Sequence, residues 1–308
     1  MVPFAIAGIQ MRISAEVSNI AQMASRLAVV MQRFPWVQMV LFSELCAHGP
    51  LPRFAQPLPG PSELVFCELA HRYDIWLIPG SMFEAAENRV FNTASVISPR
   101  GEVVGRYRKM FPFEPYEANV AAGRDFLVFD VPSIGRFGLS ICYDMWFPET
   151  SRTLAAMGAE VILHPSLTDT IDRDVELSIV RATAAMNQCY VFDINGVGHG
   201  GIGRSTIVDP SGHVVHAAGS DEEVMPVEID LDRVRRERAV GLLGLGQTLK
   251  SFRDRRADFP VYQSHGFDVT YLDSLGPLTI PARRLPPAAP AGGPQPALPP
   301  AAGGTDRV

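Results

Sequence analysis

The sequence predicts an α/β protein with mixed sheets, on three observations. Short apolar segments alternate with helical segments through the first two thirds of the chain. Two pairs of strand-like segments are separated only by turn residues, which indicates antiparallel hairpins within otherwise parallel sheets. The composition, 47% hydrophobic and 19% charged, is typical of a folded domain and excludes a disordered or collagen-like chain. The pattern requires one domain of about 260 residues rather than two small ones.

The elements follow from apolar runs, capping residues and turn residues, taken along the chain. The predicted strands are 4–10, 38–44, 75–84, 90–98, 102–109, 126–131, 135–142, 160–165, 189–195, 205–209 and 214–218. The predicted helices are 18–34, 61–73, 149–157, 174–187 and a final short one, 231–239. Ser18 is the candidate N-cap of the first helix, and Pro148 suits the first turn of the third. Hairpin turns are expected at Pro99-Arg100-Gly101 and at Asp209-Pro210-Ser211-Gly212.

Charge and cysteine content exclude several classes of partner. The formal net charge is −6, which argues against nucleic acid or an anionic membrane as a partner. The chain has no run of 18 apolar residues and no basic region at its start, so neither a membrane span nor a signal peptide is predicted. Its four cysteines show no Cys-x-x-Cys spacing. We therefore expect free thiols and a reducing cytoplasm.

The C-terminal part of the chain differs from the rest in composition. Residues 281–308 contain eight Pro, seven Ala and four Gly, and such a stretch buries too little apolar surface to become ordered. We predict a folded domain over residues 1–262. An extension over 263–308, flexible from 281, follows it.

The basic residues are strongly biased, because 25 of the 27 are Arg and only Lys109 and Lys250 are Lys. Codon bias explains the number of arginines. It leaves open why an ammonium group stands at these two positions.

Cys142 lies in the segment Phe137-Gly-Leu-Ser-Ile-Cys-Tyr-Asp-Met-Trp-Phe-Pro-Glu149. A strand-like run ends at this cysteine and a helix is predicted to start near Pro148, so the thiol would stand at a strand-to-helix elbow, as the nucleophiles of other α/β hydrolases do. The other three cysteines fit buried structural positions.

Glu44 and Lys109 also close predicted strands, and active sites form where strands of α/β sheets end. The three residues make a complete chemical set. A buried carboxylate accepts the thiol proton, the thiolate attacks a carbonyl carbon, and the ammonium stabilises the resulting oxyanion. A histidine-dependent thiol hydrolase is less well supported, and His164, at a predicted strand end, is its best candidate base.

The order Glu44, Lys109, Cys142, in the contexts Phe-Ser-Glu-Leu, Tyr-Arg-Lys-Met and Ile-Cys-Tyr-Asp-Met-Trp-Phe-Pro-Glu, resembles the nitrilase superfamily of carbon–nitrogen hydrolases over about residues 3–240. The resemblance implies an α-β-β-α sandwich in which helices cover two mixed sheets, and assembly into a homodimer or larger homo-oligomer. It implies a thioester mechanism without metal or cofactor. Cys142 would be the nucleophile, Glu44 the general base and later acid, and Lys109 the oxyanion stabiliser, helped by the Tyr143 backbone N–H.

Many members of the superfamily carry a second active-site glutamate between the lysine and the cysteine. The block 108–117, followed by Gly123, resembles that of aliphatic amidases and formamidases and assigns this role to Glu117, while Glu114 remains an alternative. Trp146 is a candidate substrate-binding residue, since it and the aromatic residues Phe111, Phe113 and Tyr116 would line a small apolar pocket. The segment 242–262 resembles the C-terminal arms of aliphatic amidases. The resemblance implies that the predicted domain over 1–262 includes an oligomerisation arm from about 241, in which Lys250 is an exposed or interface cation.

We therefore expect an amidase that acts on a small linear carboxamide and releases ammonia or an amine. An N-carbamoyl amine or amino-acid amidohydrolase is the first alternative, and its amino-acid form would need a cation such as Arg173 or Arg204 for the substrate carboxylate. A nitrilase is disfavoured, because nitrilases usually have Cys-Trp-Glu where this chain has Cys142-Tyr-Asp. An acyltransferase with the same triad and an inactive scaffold complete the alternatives. A nucleotide-binding protein is excluded by the lack of a glycine-rich loop opening a helix.

Overall fold

The computed structural model describes residues 1–255, 257–262 and 268–280. The strands within these ranges are β1 Pro3–Gln10, β2 Arg12–Ile13, β3 Met39–Phe42, β4 Trp76–Ile78, β5 Met82–Ala86, β6 Arg89–Ile97, β7 Val103–Arg108, β8 Val120–Ala121, β9 Leu127–Val131, β10 Gly135–Leu139, β11 Val161–Ser166, β12 Tyr190–Asn195, β13 Val197–Gly198, β14 Gly201–Ile202, β15 Thr206–Val208, β16 Val214–Ala217 and β17 Glu223–Asp230. The helices are α1 Ile20–Arg33, α2 Pro61–Tyr73, α3 Pro148–Ala156, α4 Arg173–Asn187, α5 Leu231–Val240, α6 Thr248–Arg255 and α7 Thr270–Asp273. Short 3₁₀ turns cover Pro52–Phe54, Cys142–Trp146 and Pro260–Tyr262.

Two large mixed sheets carry the fold. The first has the order β17-β1-β3-β4-β6-β5, with β7 and β8 also pairing with β6. The second has the order β16-β15-β12-β11-β10-β9. In each sheet the central strands are parallel, as β1 with β3 and β11 with β12 show, and antiparallel strands complete the edges.

The side chains along each strand alternate between two apolar layers, which makes the molecule a four-layer sandwich. Phe4 and Ile6 of β1 pack in the core between the two sheets, where residues from the second sheet such as Phe137 and Phe192 meet them. Ala7 and Ile9, the alternate residues of β1, pack instead with α1 and α2. The second sheet is covered in the same way, since Ile162 packs with side chains of α3 and α4. This arrangement confirms the predicted α-β-β-α sandwich of mixed sheets covered by helices.

The predicted element boundaries are right to within a few residues, with three corrections. The first helix begins at Ile20, so Asn19 and not Ser18 occupies its N-cap position. The single strand expected over 75–84 is two strands, because the chain turns at Gly80, which has a φ of +75° and packs so closely on the Ser43 carbonyl that a side chain would collide with it. The last strand, β17, was not predicted at all.

The chain continues beyond the helix expected to be the last. The helix α5 agrees with the predicted helix 231–239 to within one residue. Two further helices, α6 and α7, follow it, and several large apolar side chains of this region are exposed. Lys250 lies on α6, half-buried, and donates to the Ala239 carbonyl. The predicted flexible tail over 281–308 lies outside the described residues. No helix in the described ranges is both long and apolar enough to cross a membrane.

Candidate active site

One cavity of about 170 Å³ contains the three predicted catalytic side chains. It opens where strands of both sheets end, next to the loop that follows β11. Its lining residues are Glu44, Leu45, Pro50, Lys109, Phe113, Glu117, Cys142, Tyr143, Leu167, Thr168, Asp169, Thr170, Asp172, Glu176 and Gly200. The site is therefore assembled from residues far apart in sequence, as expected at the ends of strands in an α/β sandwich.

Glu44 lies two residues beyond the end of β3 and is only 2% exposed. Its backbone N–H donates to the Ser166 carbonyl at the end of β11 (3.2 Å), which holds the first sheet against the second at this point. Its Oε1 accepts hydrogen bonds from Lys109 Nζ (2.9 Å) and Asn92 Nδ2 (2.7 Å). Burial raises the pKa of this carboxyl group above 4.5, and the Lys109 charge acts in the opposite direction. A carboxylate with a raised pKa is a more effective base near neutral pH.

Lys109 follows β7 directly and is 1% exposed. Its ammonium group donates to Glu44 and also to Glu117 Oε2 at 2.8 Å, so it bridges two carboxylates. Burial alone would lower the pKa of this amine, but the negative charges of Glu44, Cys142 and Glu117 raise it well above 10.5. The group consequently stays charged at the site, which is the state that stabilises an oxyanion.

Glu117 is the glutamate that the structure brings to the cavity. In addition to the Lys109 ammonium, its Oε2 accepts the backbone N–H of Phe113 at 2.6 Å. Glu114 is exposed and does not line the cavity. Of the two candidates for the second carboxylate, only Glu117 is in contact with the predicted triad.

Cys142 stands at a sharp turn between β10 and α3. Its φ of +47° lies in the left-handed region that residues other than glycine rarely adopt. The 3₁₀ turn Cys142–Trp146 follows at once and leads into α3 at Pro148. The expected elbow is therefore present, and the Sγ atom lies 3.7 Å from Thr168 Oγ1 at the opposite wall. Burial and the Glu44 charge raise the pKa of the thiol well above 9.0, whereas Lys109 lowers it, so the thiol needs a base to ionise it.

Asp144, two residues after the cysteine, joins the cysteine turn to the lysine loop. Its Oδ1 accepts the backbone N–H groups of Met110 (3.1 Å) and Phe111 (2.8 Å), the two residues that follow Lys109. Its Oδ2 accepts the Ile141 N–H (2.8 Å) and the Tyr107 hydroxyl (2.7 Å). Burial raises the pKa of this carboxyl group to about 6, and the hydrogen bonds from Tyr107, Ile141 and Phe111 act in the opposite direction.

A second polar network supports the wall behind Thr168. The Thr168 hydroxyl donates to Glu176 Oε1 (3.2 Å), and Glu176 Oε2 accepts from Arg173 Nη1 (3.0 Å). Arg173 is 1% exposed and also binds Asp193 Oδ2 at 2.6 Å through Nη2. Burial raises the pKa of Glu176, whereas Arg173 lowers it. The sequence analysis did not identify Asn92, Thr168 and Glu176 as residues of the site. Asn92 could have been recognised as a polar residue inside the apolar run of β6, whereas no sequence signal marks Thr168 or Glu176.

Several other candidates take different places. Tyr143 and Phe113 line the cavity, with their rings in edge contact at 5.0 Å between centroids. Trp146 does not line it: the indole Nε1 donates to Glu176 (3.4 Å), and the ring lines a separate space of about 10 Å³ behind Cys142. Phe111 stacks on Phe147 with 3.7 Å between the ring centroids, and it likewise does not line the cavity.

His164 is a poor candidate for the base. It is 2% exposed, its Nδ1 lies 2.7 Å from Ser140 Oγ, and burial lowers its pKa to about 4. It borders the small space behind the cysteine rather than the cavity. A base this weak is poorly matched to a thiol whose own pKa is raised.

The two arginines considered for binding a substrate carboxylate are both engaged elsewhere. Arg173 is buried between Glu176 and Asp193, and Arg204 forms an ion pair with Asp174 at 2.6 Å. Neither lines the cavity. The arrangement does not favour the carbamoyl amino-acid hydrolase alternative.

Comparisons with known proteins show the family of this chain. The carbon–nitrogen hydrolase family model matches residues 5–239. Human omega-amidase NIT2 is 29% identical over 222 residues, which cover 67% of this chain and 77% of the human protein. An (R)-stereoselective amidase from a Pseudomonas species is 32% identical over 193 residues, 61% of this chain and 69% of that protein.

Solved structures agree in fold. Nit3 of Saccharomyces cerevisiae, a member of the nitrilase superfamily, matches with a TM-score of 0.73 and 24% identity, covering 83% of this chain and 97% of Nit3. A carbon–nitrogen hydrolase from Helicobacter pylori G27 matches with a TM-score of 0.71 and 26% identity, covering 84% and 97% of the two chains. The family and the fold class expected from the sequence are thereby confirmed.

Proposed function

We propose that this chain, which belongs to the carbon–nitrogen hydrolase family, uses Cys142, Glu44 and Lys109 to hydrolyse small linear carboxamides through a thioester. The class of enzyme, a hydrolase of carbon–nitrogen bonds that acts on amides, follows from the family match and from the amidase relatives. The observation that carries the assignment of residues is the shared cavity, where Lys109 bridges Glu44 and Glu117 next to the Cys142 turn.

In the first half of the reaction, Glu44 takes the Cys142 proton and the sulfur attacks the amide carbonyl carbon. The carbonyl oxygen becomes an oxyanion that the Lys109 ammonium and the Tyr143 backbone N–H stabilise. Glu44 then returns the proton to the nitrogen, the C–N bond breaks, and ammonia or an amine leaves a thioester on the sulfur.

In the second half, Glu44 takes a proton from a water molecule, whose oxygen attacks the thioester carbonyl. The C–S bond breaks, the sulfur regains a proton and the carboxylic acid leaves. Glu117 holds Lys109 and orients the substrate, since it accepts a hydrogen bond from the same ammonium group that contacts Glu44.

Two further proposals concern the whole protein. A free thiol nucleophile requires a reducing environment, and none of the four cysteines is paired, which supports the cytoplasm. The exposed apolar side chains after α5 support an oligomerisation arm from about residue 241 that buries them against another copy of the chain.

The test is ammonia release from a panel of short linear amides. We expect the wild type to release ammonia, and Cys142→Ala to release none above the uncatalysed rate. Cys67→Ala is the matched control, because Cys67 is a half-buried thiol on α2 outside the cavity. Equal rates for wild type and Cys142→Ala would overturn the assignment of the nucleophile.

A further inference from the structure

The cavity lining carries three carboxyl groups in addition to those of Glu44 and Glu117. Asp169, Asp172 and Glu176, on the loop after β11 and the first turn of α4, line it. Asp169 is exposed and forms no ion pair within the described residues, while Asp172 is half-buried and accepts only from the neighbouring Thr170 hydroxyl. Two carboxylates without a cationic partner thus face the entrance.

The nearby cations offset only part of this charge. Among the described residues lining the cavity, Lys109 alone has a basic side chain, and its ammonium is already shared by Glu44 and Glu117. Arg173 lies behind the wall, where it neutralises Glu176 and Asp193. The lining residues together carry five carboxyl groups and one ammonium group. The resulting electrostatic field attracts cations and repels anions.

The apolar part of the lining suits the middle of a short chain. Phe113 and Tyr143 lie beside Cys142 and present aromatic surface to the cavity. Methylene groups can pack against these rings, and an ammonium near a ring face gains further attraction.

We propose that the preferred substrate is a linear primary amide whose far end carries an ammonium group, held near Asp169 and Asp172 while the amide lies at Cys142. The inference rests on the proposed function and narrows it to one substrate class. Amides with a terminal carboxylate are disfavoured, because no free cation meets them and two carboxylates oppose them.

A matched set of substrates tests the proposal. 4-Aminobutanamide, pentanamide and glutaramate carry an ammonium, a methyl group or a carboxylate after the same three methylene groups, and shorter and longer members of each series cover the chain length. We expect kcat/KM to be highest for the ammonium series, by about tenfold or more over the methyl series, and lowest for the carboxylate series. The ammonium preference should weaken as ionic strength rises.

Variants locate the preference on the chain. Asp169→Asn and Asp172→Asn should each reduce the ratio of kcat/KM for 4-aminobutanamide to that for pentanamide. Glu68→Gln is the control, because Glu68 is an exposed carboxylate on α2, outside the cavity, and its loss changes the net charge equally. It should leave the ratio unchanged.

The outcomes separate the two proposals. The inference fails if the wild type hydrolyses pentanamide but shows no preference for the ammonium series. It also fails if that preference is unchanged in the aspartate variants. In both cases the amidase assignment stands. The same holds if Glu68→Gln lowers the ratio as much as the aspartate variants do. If no member of any series is hydrolysed, the proposed function itself fails.

Discussion

Lys109 is the residue whose chemistry is most constrained by its surroundings. Its ammonium lies 2.9 Å from Glu44 and 2.8 Å from Glu117 in a buried position, so its shape matters as much as its charge. A guanidinium is planar and wider, and it cannot place one compact charge between two carboxylates and an oxyanion. This shape requirement explains why Lys stands here in a chain with only two lysines among its 27 basic residues.

Lys109→Arg is therefore expected to lower kcat by about 100-fold or more, the range seen when one oxyanion donor is removed. Steady-state kinetics with a short linear amide measure the loss. Lys250→Arg should keep the wild-type rate, because Lys250 lies on α6 and does not line the cavity. An active Lys109→Arg enzyme would mean that any cation suffices at this position.

The hydrogen bond from Asn92 to Glu44 gives a prediction about pH. Glu44 must be ionised to take the thiol proton, so activity falls as the pH drops through its pKa, which burial holds above 4.5. Asn92 Nδ2 donates to the carboxylate at 2.7 Å and favours the ionised form. Asn92→Ala removes that bond, which raises the Glu44 pKa further and moves the acidic limb of the kcat/KM profile to higher pH.

The control for this profile is Asn119→Ala, an exposed asparagine outside the cavity. Its acidic limb should coincide with that of the wild type. An acidic limb that stays in place in Asn92→Ala would show that Glu44 is not the group whose ionisation limits activity at low pH.

Individual residues of the site differ in how well the sequence predicts their positions. Glu44, Lys109 and Cys142 each stand in a recognisable sequence block at or near a strand end, and all three meet in one cavity. Trp146 belongs to the same block as Cys142, yet its side chain turns behind the cavity to reach Glu176. The direction of a side chain at a tight turn depends on its packing partners, which the sequence does not place.

At the scale of elements, Asp144 connects the cysteine turn with the loop that follows β7. It accepts hydrogen bonds from Met110, Phe111, Ile141 and Tyr107, so both of its oxygens are saturated with donors. The carboxylate thus sets the position of Lys109 relative to Cys142 without lining the cavity itself. We expect its loss to affect stability and catalysis together.

Asp144→Asn replaces one accepting oxygen by an NH₂ group that faces N–H donors. The free energy of unfolding should fall by about 2 kcal/mol, the cost of leaving buried donors unpaired, and kcat should also fall. Urea denaturation and steady-state kinetics measure the two effects. Asp130→Asn is the control, since Asp130 is an exposed strand residue paired with Arg136, and its stability should change by less than about 0.5 kcal/mol. Wild-type stability in Asp144→Asn would contradict the connecting role.

The elements that were missed have physical reasons. β17 contains three charged residues and Pro226 within eight positions, which weakens its apolar strand signal, yet it forms the sheet edge beside β1, where a proline is tolerated. The predicted strand over 75–84 contains Pro79-Gly80, and this turn signal outweighs the apolar run on both sides. The predicted strand 38–44 extends too far, because pairing with β1 ends at Phe42 and the polar residues Ser43 and Glu44 follow it.

At the scale of the whole molecule, the region after α5 exposes several large apolar side chains. Leu243 and Leu245 are 78% and 83% exposed in the loop before α6, and Phe252, Val261 and Tyr262 follow on the next elements. Exposed apolar side chains of this kind support the proposed oligomerisation arm.

We expect light scattering after size-exclusion chromatography to give a mass that is an even multiple of 33.6 kDa. Leu243→Glu combined with Leu245→Glu should lower that mass, because the charges oppose burial. Val17→Glu, at an exposed valine remote in sequence from the arm, should not change it. A wild type that behaves as a monomer would contradict the oligomerisation arm.

The central claim is that Cys142 carries the acyl group during turnover, and mass spectrometry of the acid-quenched reaction tests it most directly. After brief exposure to a mixture of short linear amides, the peptide containing Cys142 should gain the mass of the acyl group. The peptides containing Cys46, Cys67 and Cys189 should remain unmodified. Hydrolysis with no acyl group on Cys142, or with the acyl group on another residue, would contradict the account.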